Sequence, residues 1–128
     1  MAYLLDTNVA IHLRDGDPTI SAQVAALDDA ILLSIVTREE LEGGVYRDAA
    51  DAPARRARLD TLLSAIPVLA FDAAAADAYA SIVARAGYSR RALLDRMIAA
   101  HAPVHRATLV SMNADDFRDI AGLEMLAW

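Results

Sequence analysis

Four acidic residues lie far apart in the sequence, each at the edge of an apolar segment that a fold would bury. They are Asp6, Glu40, Asp95 and Asp116. If the four segments converge, their carboxylates form a pocket of hard oxygen ligands, which suits a divalent cation such as Mg²⁺. The spacing of these acids therefore predicts a metal-binding pocket, with Asp6, Glu40, Asp95 and Asp116 as its ligands.

The composition excludes several other kinds of site. The chain has 128 residues, which suits one domain over residues 1–128. It contains no cysteine, which excludes disulfides, zinc–thiolate sites and cysteine nucleophiles. All 12 basic residues are arginines, and the absence of lysine excludes a P-loop and a Schiff-base enzyme. The net charge of −6 argues weakly against binding nucleic acid by charge alone, although bound Mg²⁺ would neutralise part of it.

The sequence also bears on location. No apolar run reaches the ~18 residues that a membrane span requires. No basic stretch precedes the first apolar residues, so the N-terminus does not have the pattern of a signal peptide. We therefore expect a cytoplasmic protein that has no membrane partner.

Short apolar runs alternate along the chain with segments of helical periodicity. The predicted strands cover residues 2–5, 30–36, 66–71, 107–111 and, at a sheet edge, 123–127. The predicted helices cover residues 7–14, 19–28, 38–47, 54–64, 73–85, 91–102 and 114–118. This alternation favours an α/β three-layer sandwich with a mainly parallel central sheet flanked by helices.

The predicted sheet explains how distant acids meet. Ligands bind beyond the carboxyl ends of parallel strands, where the strand order reverses. Asp6 follows the first strand, Glu40 follows the second, and Asn113 and Asp116 follow the fourth. We therefore expect them at one edge of the sheet, with Asp95 reaching it from the first half of the preceding helix.

Each acid also has a structural explanation. Asp6 is a good cap for a helix that begins at Thr7. Glu40 fits a capping box with Thr37. Asp95 has Arg91 one turn away as an ion-pair partner, worth only ~0.3–0.5 kcal/mol, and Asp116 suits the first turn of a helix.

Three further features carry weaker expectations. The pair Gly43-Gly44 suggests close packing within its helix. The spacing of the histidines gives no zinc signature, and His101 is expected to pack in the core or at a helix end. Arg90, Arg91 and Arg96 bracket Asp95 and are candidates for guiding phosphates toward a metal.

Four motifs in order resemble those of the PIN-domain family, and in particular its VapC-type toxins. The segments, which span nearly the whole chain, are Tyr3–Asn8, Ser34–Leu41, Asp95–Ala102 and Leu109–Phe117. The resemblance implies a PIN-like fold and an Mg²⁺- or Mn²⁺-dependent ribonuclease. It also implies a toxin that forms a homodimer and is blocked by a VapB-type antitoxin.

The resemblance also implies roles for individual residues. Asp6, Glu40 and Asp95 match family acids directly, whereas family members place the fourth acid either at the position of Asn113 or at that of Asp116. We choose Asp116 and expect Asn113 to be a polar partner behind it. Thr7 and Asn8 match residues that help to organise the first acid.

The physical hypothesis is metal-assisted hydrolysis of RNA phosphodiester bonds, in which no side-chain nucleophile is required. One rival is an aspartyl-phosphate phosphatase with Asp6 as nucleophile, which would require a second acid where the chain has Asn8 and a lysine that it lacks. The other rival is a non-catalytic module, either a phosphoacceptor switch or a plain partner-binding α/β domain whose acids are incidental caps.

Overall fold

The computed structural model describes residues 2–128 and contains a five-stranded sheet in which every pairing is parallel. The strands are β1 (Ala2–Leu5), β2 (Ile31–Ser34), β3 (Val68–Leu69), β4 (Ala107–Ser111) and β5 (Met125–Ala127). Their order across the sheet is β3-β2-β1-β4-β5. From β1, the chain adds β2 and β3 on one side and then β4 and β5 on the other. The strand order therefore reverses between β1 and β4.

Six α-helices and one 3₁₀-helix connect the strands within the described residues. They are α1 (Thr7–Arg14), α2 (Pro18–Ala25), α3 (Ile35–Val45), α4 (Ala52–Ala65), α5 (Ala73–Ala86), α6 (Leu93–His105) and the 3₁₀-helix Ala114–Phe117. No helix within residues 2–128 is both long enough and apolar enough to cross a membrane.

Neighbouring residues of the central strands pack into two separate hydrophobic cores. Leu5 and Val110 pack with residues of α1, α2, α3 and α4 on one face of the sheet. Leu4 and Leu109 pack with α6, α3 and Phe117 on the other face. Because successive side chains of a strand point to opposite faces, this alternation places a layer of helices on each side. The predicted three-layer sandwich is confirmed.

The bounds of β1 and β4 match the predictions, whereas the other three strands are shorter than predicted. The last was predicted over residues 123–127 but covers only Met125–Ala127. The third strand was predicted over residues 66–71 but pairs only through Val68 and Leu69. The second was predicted over 30–36 but ends at Ser34, whose hydroxyl accepts a hydrogen bond from the Val36 amide and caps α3. The helix thus begins at Ile35, before the predicted start after Thr37.

Helix α5 has the predicted start and stop. Asp72 caps it by accepting a hydrogen bond from the Ala75 amide at 3.0 Å. Gly87 ends it at a φ of 85°, which only glycine adopts readily. Helix α6 runs to His105, past the predicted end at residue 102, with the exposed Pro103 inside its last turn.

The expectation of close packing at Gly43-Gly44 is wrong. A Cβ atom added to Gly43 would meet nothing within 4 Å, and one on Gly44 would meet only Arg14 Nη1, at 4.0 Å. Neither glycine therefore permits a close approach of backbones.

The open surroundings of Gly43 give a stability prediction. Because alanine has a higher helix propensity and Gly43 lies in α3 without steric neighbours, Gly43→Ala should raise the free energy of unfolding by about 0.5–1 kcal/mol. Urea denaturation monitored by circular dichroism measures this. Gly122→Ala is the matched control, since Gly122 has a φ of 77° and the same substitution there should destabilise the fold.

Candidate active site

The four predicted acids and the three predicted polar residues beside them line one cavity at the carboxyl edge of the sheet. The cavity has a volume of about 470 Å³. Its walls include the four acids together with Thr7, Asn8 and Asn113. It opens beside the ends of β1 and β4, at the reversal of strand order where parallel sheets bind ligands.

Asp6 is held firmly at the end of β1. Its side chain is only 5% exposed, its Oδ1 accepts a hydrogen bond from the Thr7 amide at 2.8 Å, and its Oδ2 accepts one from the Ser111 hydroxyl at 2.9 Å. Burial raises the pKa of Asp6, although the bonds from Ser111 and Thr7 oppose that rise. Asp6 therefore caps α1 and lines the cavity at once.

Ser111 connects the ends of the two central strands. It is fully buried at the end of β4, donates to Asp6, and accepts a hydrogen bond from the Asn113 amide at 2.9 Å. Asn113 is thus linked to Asp6 through its backbone, and its side chain makes no hydrogen bond within residues 2–128. The side chain of Asn8 likewise makes none within this range, although the residue lines the cavity.

Two threonines hold Glu40 in place. Thr7 Oγ1 donates to Glu40 Oε1 at 2.8 Å and lies 3.0 Å from Thr37 Oγ1. Because the single proton of the Thr7 hydroxyl goes to Glu40, the fully buried Thr37 hydroxyl donates to Thr7. The capping box proposed for Thr37 and Glu40 is therefore wrong, since both residues lie inside α3 and connect it to α1.

This chain of hydroxyls predicts the effect of a single substitution. Thr7→Val should lower the free energy of unfolding by about 1–3 kcal/mol, because it leaves the buried Thr37 hydroxyl without its acceptor. It also frees Glu40 from its donor. The measurement is urea denaturation of Thr7→Val beside Thr7→Ser, which keeps the hydroxyl; equal losses in the two variants would show that the hydrogen bonds are unimportant.

Asp95 reaches the cavity from the first turn of α6. Burial raises its pKa to about 6, and the charges of Asp6, Asp116 and Glu40 add to the rise. Its predicted ion pair with Arg91 does not form within the described residues. Four carboxylates therefore share one cavity and repel one another, which is the electrostatic condition that a bound cation relieves.

Within residues 2–128, no group of three or more Asp, Glu and His side chains is arranged so that it could hold a metal ion. Mg²⁺ commonly binds through one or two carboxylates and several water molecules, whereas a caged site would need more direct ligands. The open cavity and its carboxylate oxygens therefore fit Mg²⁺ or Mn²⁺.

The arginines of α6 do not serve the cavity as predicted. Arg96 is 3% exposed, donates to the Gly87 carbonyl and pairs with Asp119 at 2.9 Å, so it fixes the start of α6 to neighbouring loops. Arg90 and Arg91 are exposed and are not among the residues that line the cavity. His101 is fully buried, as expected, with its ring edge-on to Phe71.

Several residues of the cavity were not selected from the sequence. Ser111 and Thr37 hold the acids, and three arginines also line the cavity: Arg14, Arg47 and Arg55. Ser111 had the same signal as Asp6, because it is a polar residue that ends a buried strand. The arginines carried no such signal, since their position depends on how the helices pack.

The family follows from comparison with known proteins. The model of the PIN domain family matches residues 3–123. This chain belongs to the PIN domain family. The match spans the four motifs that carried the resemblance, and the fold around them is the expected one.

Relatives of this PIN domain align over almost their full length. The chain is 30% identical to the tRNA(fMet)-specific endonuclease VapC of Shigella flexneri and 27% identical to ribonuclease VapC2 of Rickettsia felis. Each alignment covers 100% of this chain and 98% of the relative.

A solved structure gives the same result for the fold. The PIN domain superimposes on a crystal structure of VapBC2 from Rickettsia felis, bound to a DNA fragment from its promoter, with a TM-score of 0.86. The sequences are 25% identical, and the superposition covers 100% of this chain and 99% of the other.

Proposed function

We propose that this PIN domain is an endoribonuclease and the toxin of a VapBC toxin–antitoxin module. The observation that carries the proposal is the convergence of Asp6, Glu40, Asp95 and Asp116 on one open cavity at the carboxyl edge of the sheet. Relatives named as ribonucleases, aligned over the whole chain, support the reaction type. Phosphodiester hydrolysis by such a site needs no lysine and no cysteine, in agreement with the composition.

Asp6 and Asp95 would hold Mg²⁺ or Mn²⁺, with Glu40 and Asp116 beside them. When bound, the metal lowers the pKa of water and stabilises negative charge on the phosphate oxygens. The protein's own part is to hold the carboxylates in place: Ser111 and the Thr7 amide fix both oxygens of Asp6, and the Thr7 hydroxyl fixes Glu40. Such positioning keeps reacting groups in the required geometry.

The phosphatase alternative is not supported by the residues present. It would need a second acid where the chain has Asn8 and a lysine to bind the phosphate, and the chain has neither. The partner-binding alternative does not account for Asp95, whose carboxylate lies beside three others without a cation within the described residues.

We infer the partners from the same relationship. A solved structure of the same fold is of VapBC2, which supports a VapB-type antitoxin that would block this chain. The homodimer and the cytoplasmic location are proposed from the resemblance of the sequence motifs. The RNA substrate follows from the names of the relatives.

Metal removal tests the proposed reaction directly. Purified protein should cleave single-stranded RNA with Mg²⁺ or Mn²⁺ and lose that activity in excess EDTA, and added metal should restore it, because four unneutralised carboxylates repel the phosphate. Denaturing gel electrophoresis of end-labelled RNA is the assay. Cleavage that persists in EDTA, or that is absent with both metals, would contradict the proposal.

A further inference from the structure

The cavity is lined by three arginines, which we call its basic wall, as well as by the four acids. Arg14, Arg47 and Arg55 come from the end of α1, from the segment between α3 and α4, and from α4. Three separate elements thus bring guanidinium groups to a cavity that also holds the four acids and Asp15, the partner of Arg14. A cation site alone would not require three positive charges nearby.

The packing of α1 against α3 sets the distance between the two walls. Thr7 contacts Thr37 near the starts of these helices. Two turns further along both helices, Arg14 Nη1 lies 4.0 Å from the position of a Cβ on Gly44. At 1.5 Å per residue, the Arg14 backbone lies about 10 Å from that of Thr7. Arg14 therefore lies about two helical turns from the end of the cavity where Thr7 holds Glu40.

The three arginines differ in how many of their N–H donors already have an acceptor in the protein. Arg14 is 8% exposed, and its Nε and Nη2 donate to Asp15 at 3.0 and 3.3 Å, which leaves Nη1 without an acceptor within residues 2–128. Arg55 donates Nη1 to the Gly44 carbonyl at 3.2 Å, and its Nη2 lies 3.9 Å from Asp51 Oδ2, while its Nε has no acceptor in the same range. Arg47 is exposed and makes no side-chain hydrogen bond or ion pair there.

We propose that Arg14, Arg47 and Arg55 form a subsite for a backbone phosphate of single-stranded RNA, one that lies beyond the phosphate being cleaved. The inference rests on the proposed function and names the part of the chain that grips its substrate. Arginine presents several N–H donors in a plane that matches phosphate oxygens. Contacts to phosphates fix the register of the RNA without reading its sequence. The subsite also explains how a protein with a net charge of −6 binds RNA.

The test is RNA binding as a function of salt. Arg47→Ala is the main variant, because the loss of an exposed side chain without partners should leave the fold intact. Arg58→Ala is the matched control, since Arg58 is also exposed but does not line the cavity. Both are made in full-length protein carrying Asp95→Asn, and fluorescence anisotropy gives the Kd for a labelled single-stranded RNA at increasing KCl.

Arg47→Ala should raise Kd several-fold and reduce the slope of log Kd against log salt by about 0.7, the contribution of one phosphate contact in a single strand. Arg58→Ala should change neither. In protein with Asp95 intact, Arg47→Ala should raise KM more than it lowers kcat, because the contact is the same in the ground and transition states. Arg14→Gln should reduce the slope as well, with urea denaturation as a check on its fold.

The result that overturns the subsite is an equal salt slope for Asp95→Asn protein with and without Arg47→Ala or Arg58→Ala. If protein with Asp95 intact cleaves RNA while these slopes agree, the subsite is wrong and the nuclease stands. If protein with Asp95 intact neither binds nor cleaves RNA with Mg²⁺ or Mn²⁺, the proposed function itself fails.

Discussion

Replacing Asp95 with Asn should reduce divalent-metal-dependent RNA cleavage by at least 10²-fold, the usual cost of losing one electrostatic group at a reacting centre. The substitution removes a negative charge from a cavity shared with Asp6, Asp116 and Glu40, yet it keeps the size and shape of the side chain. The loss should therefore arise from weaker metal binding and not from unfolding. Initial cleavage rates over a range of Mg²⁺ concentrations measure it.

The same substitution should stabilise the metal-free protein at neutral pH. The folded-state pKa of Asp95, about 6, lies above the ordinary value of 3.8, so the folded protein prefers the protonated acid. Its stabilising contribution is complete below pH ~4 and is lost as the pH rises to about 6. Since Asp95 is only half-buried, solvent screening reduces the effect to roughly 1 kcal/mol.

Urea denaturation in EDTA at about pH 3.5 and about pH 7.5 measures this effect in parent and Asp95→Asn protein. The variant should gain stability relative to the parent at the higher pH and show little difference at the lower one. Asp115→Asn is a suitable control, because Asp115 is an exposed acid near the same edge that does not line the cavity. A variant that is inactive and also unfolded would show that Asp95 has a structural role instead.

The edge of the sheet could be predicted because its signals are local. An apolar run in the sequence marks a buried strand, and the polar residue at its end marks where the strand stops. That polar side chain lies at the carboxyl edge of the sheet, beside the cavity. This held for β1 with Asp6 and for β4 with Ser111. The caps of α5, Asp72 and Gly87, are equally local in their chemistry.

The start of α3 could not be predicted in this way. Ser34, Ile35 and Val36 continue an apolar, β-branched run that has the pattern of a strand, yet the Ser34 hydroxyl caps the helix within that run. Once the helix begins at Ile35, Thr37 lies in its first turn and faces Thr7. The bond between Thr7 and Glu40 thus depends on the register of α3 against α1, which no local pattern encodes.

The basic wall shows the same limit more strongly. Arg96 lies next to Asp95 in the sequence but is buried against Asp119, whereas Arg55 has none of the four acids among its sequence neighbours and yet lines their cavity. Arg55 lines the cavity because α4 packs against the end of α3. Sequence proximity to an acid is therefore a poor guide to which arginines share its site.

The second large effect concerns the fourth acid, for which the sequence left Asn113 and Asp116 as alternatives. Both residues line the cavity. The charge of Asp116 raises the pKa of both Asp6 and Asp95, whereas Asn113 is connected to Asp6 only through its backbone amide and Ser111. A negative charge that acts on both proposed metal ligands is the stronger candidate for the fourth position.

Asp116→Asn should therefore lower kcat by on the order of 10²-fold, while Asn113→Ala should lower it by less than about tenfold, since the amide that donates to Ser111 remains. Cleavage of one RNA at saturating Mg²⁺ compares the two variants, and isothermal titration with Mn²⁺ compares their metal affinity. Asn113→Asp gives the converse test, because placing a carboxylate at that position in Asp116→Asn protein should restore activity only if the two positions are equivalent. A larger loss from Asn113→Ala than from Asp116→Asn would move the fourth position to residue 113 and leave Asp116 as an exposed acid of the 3₁₀-helix.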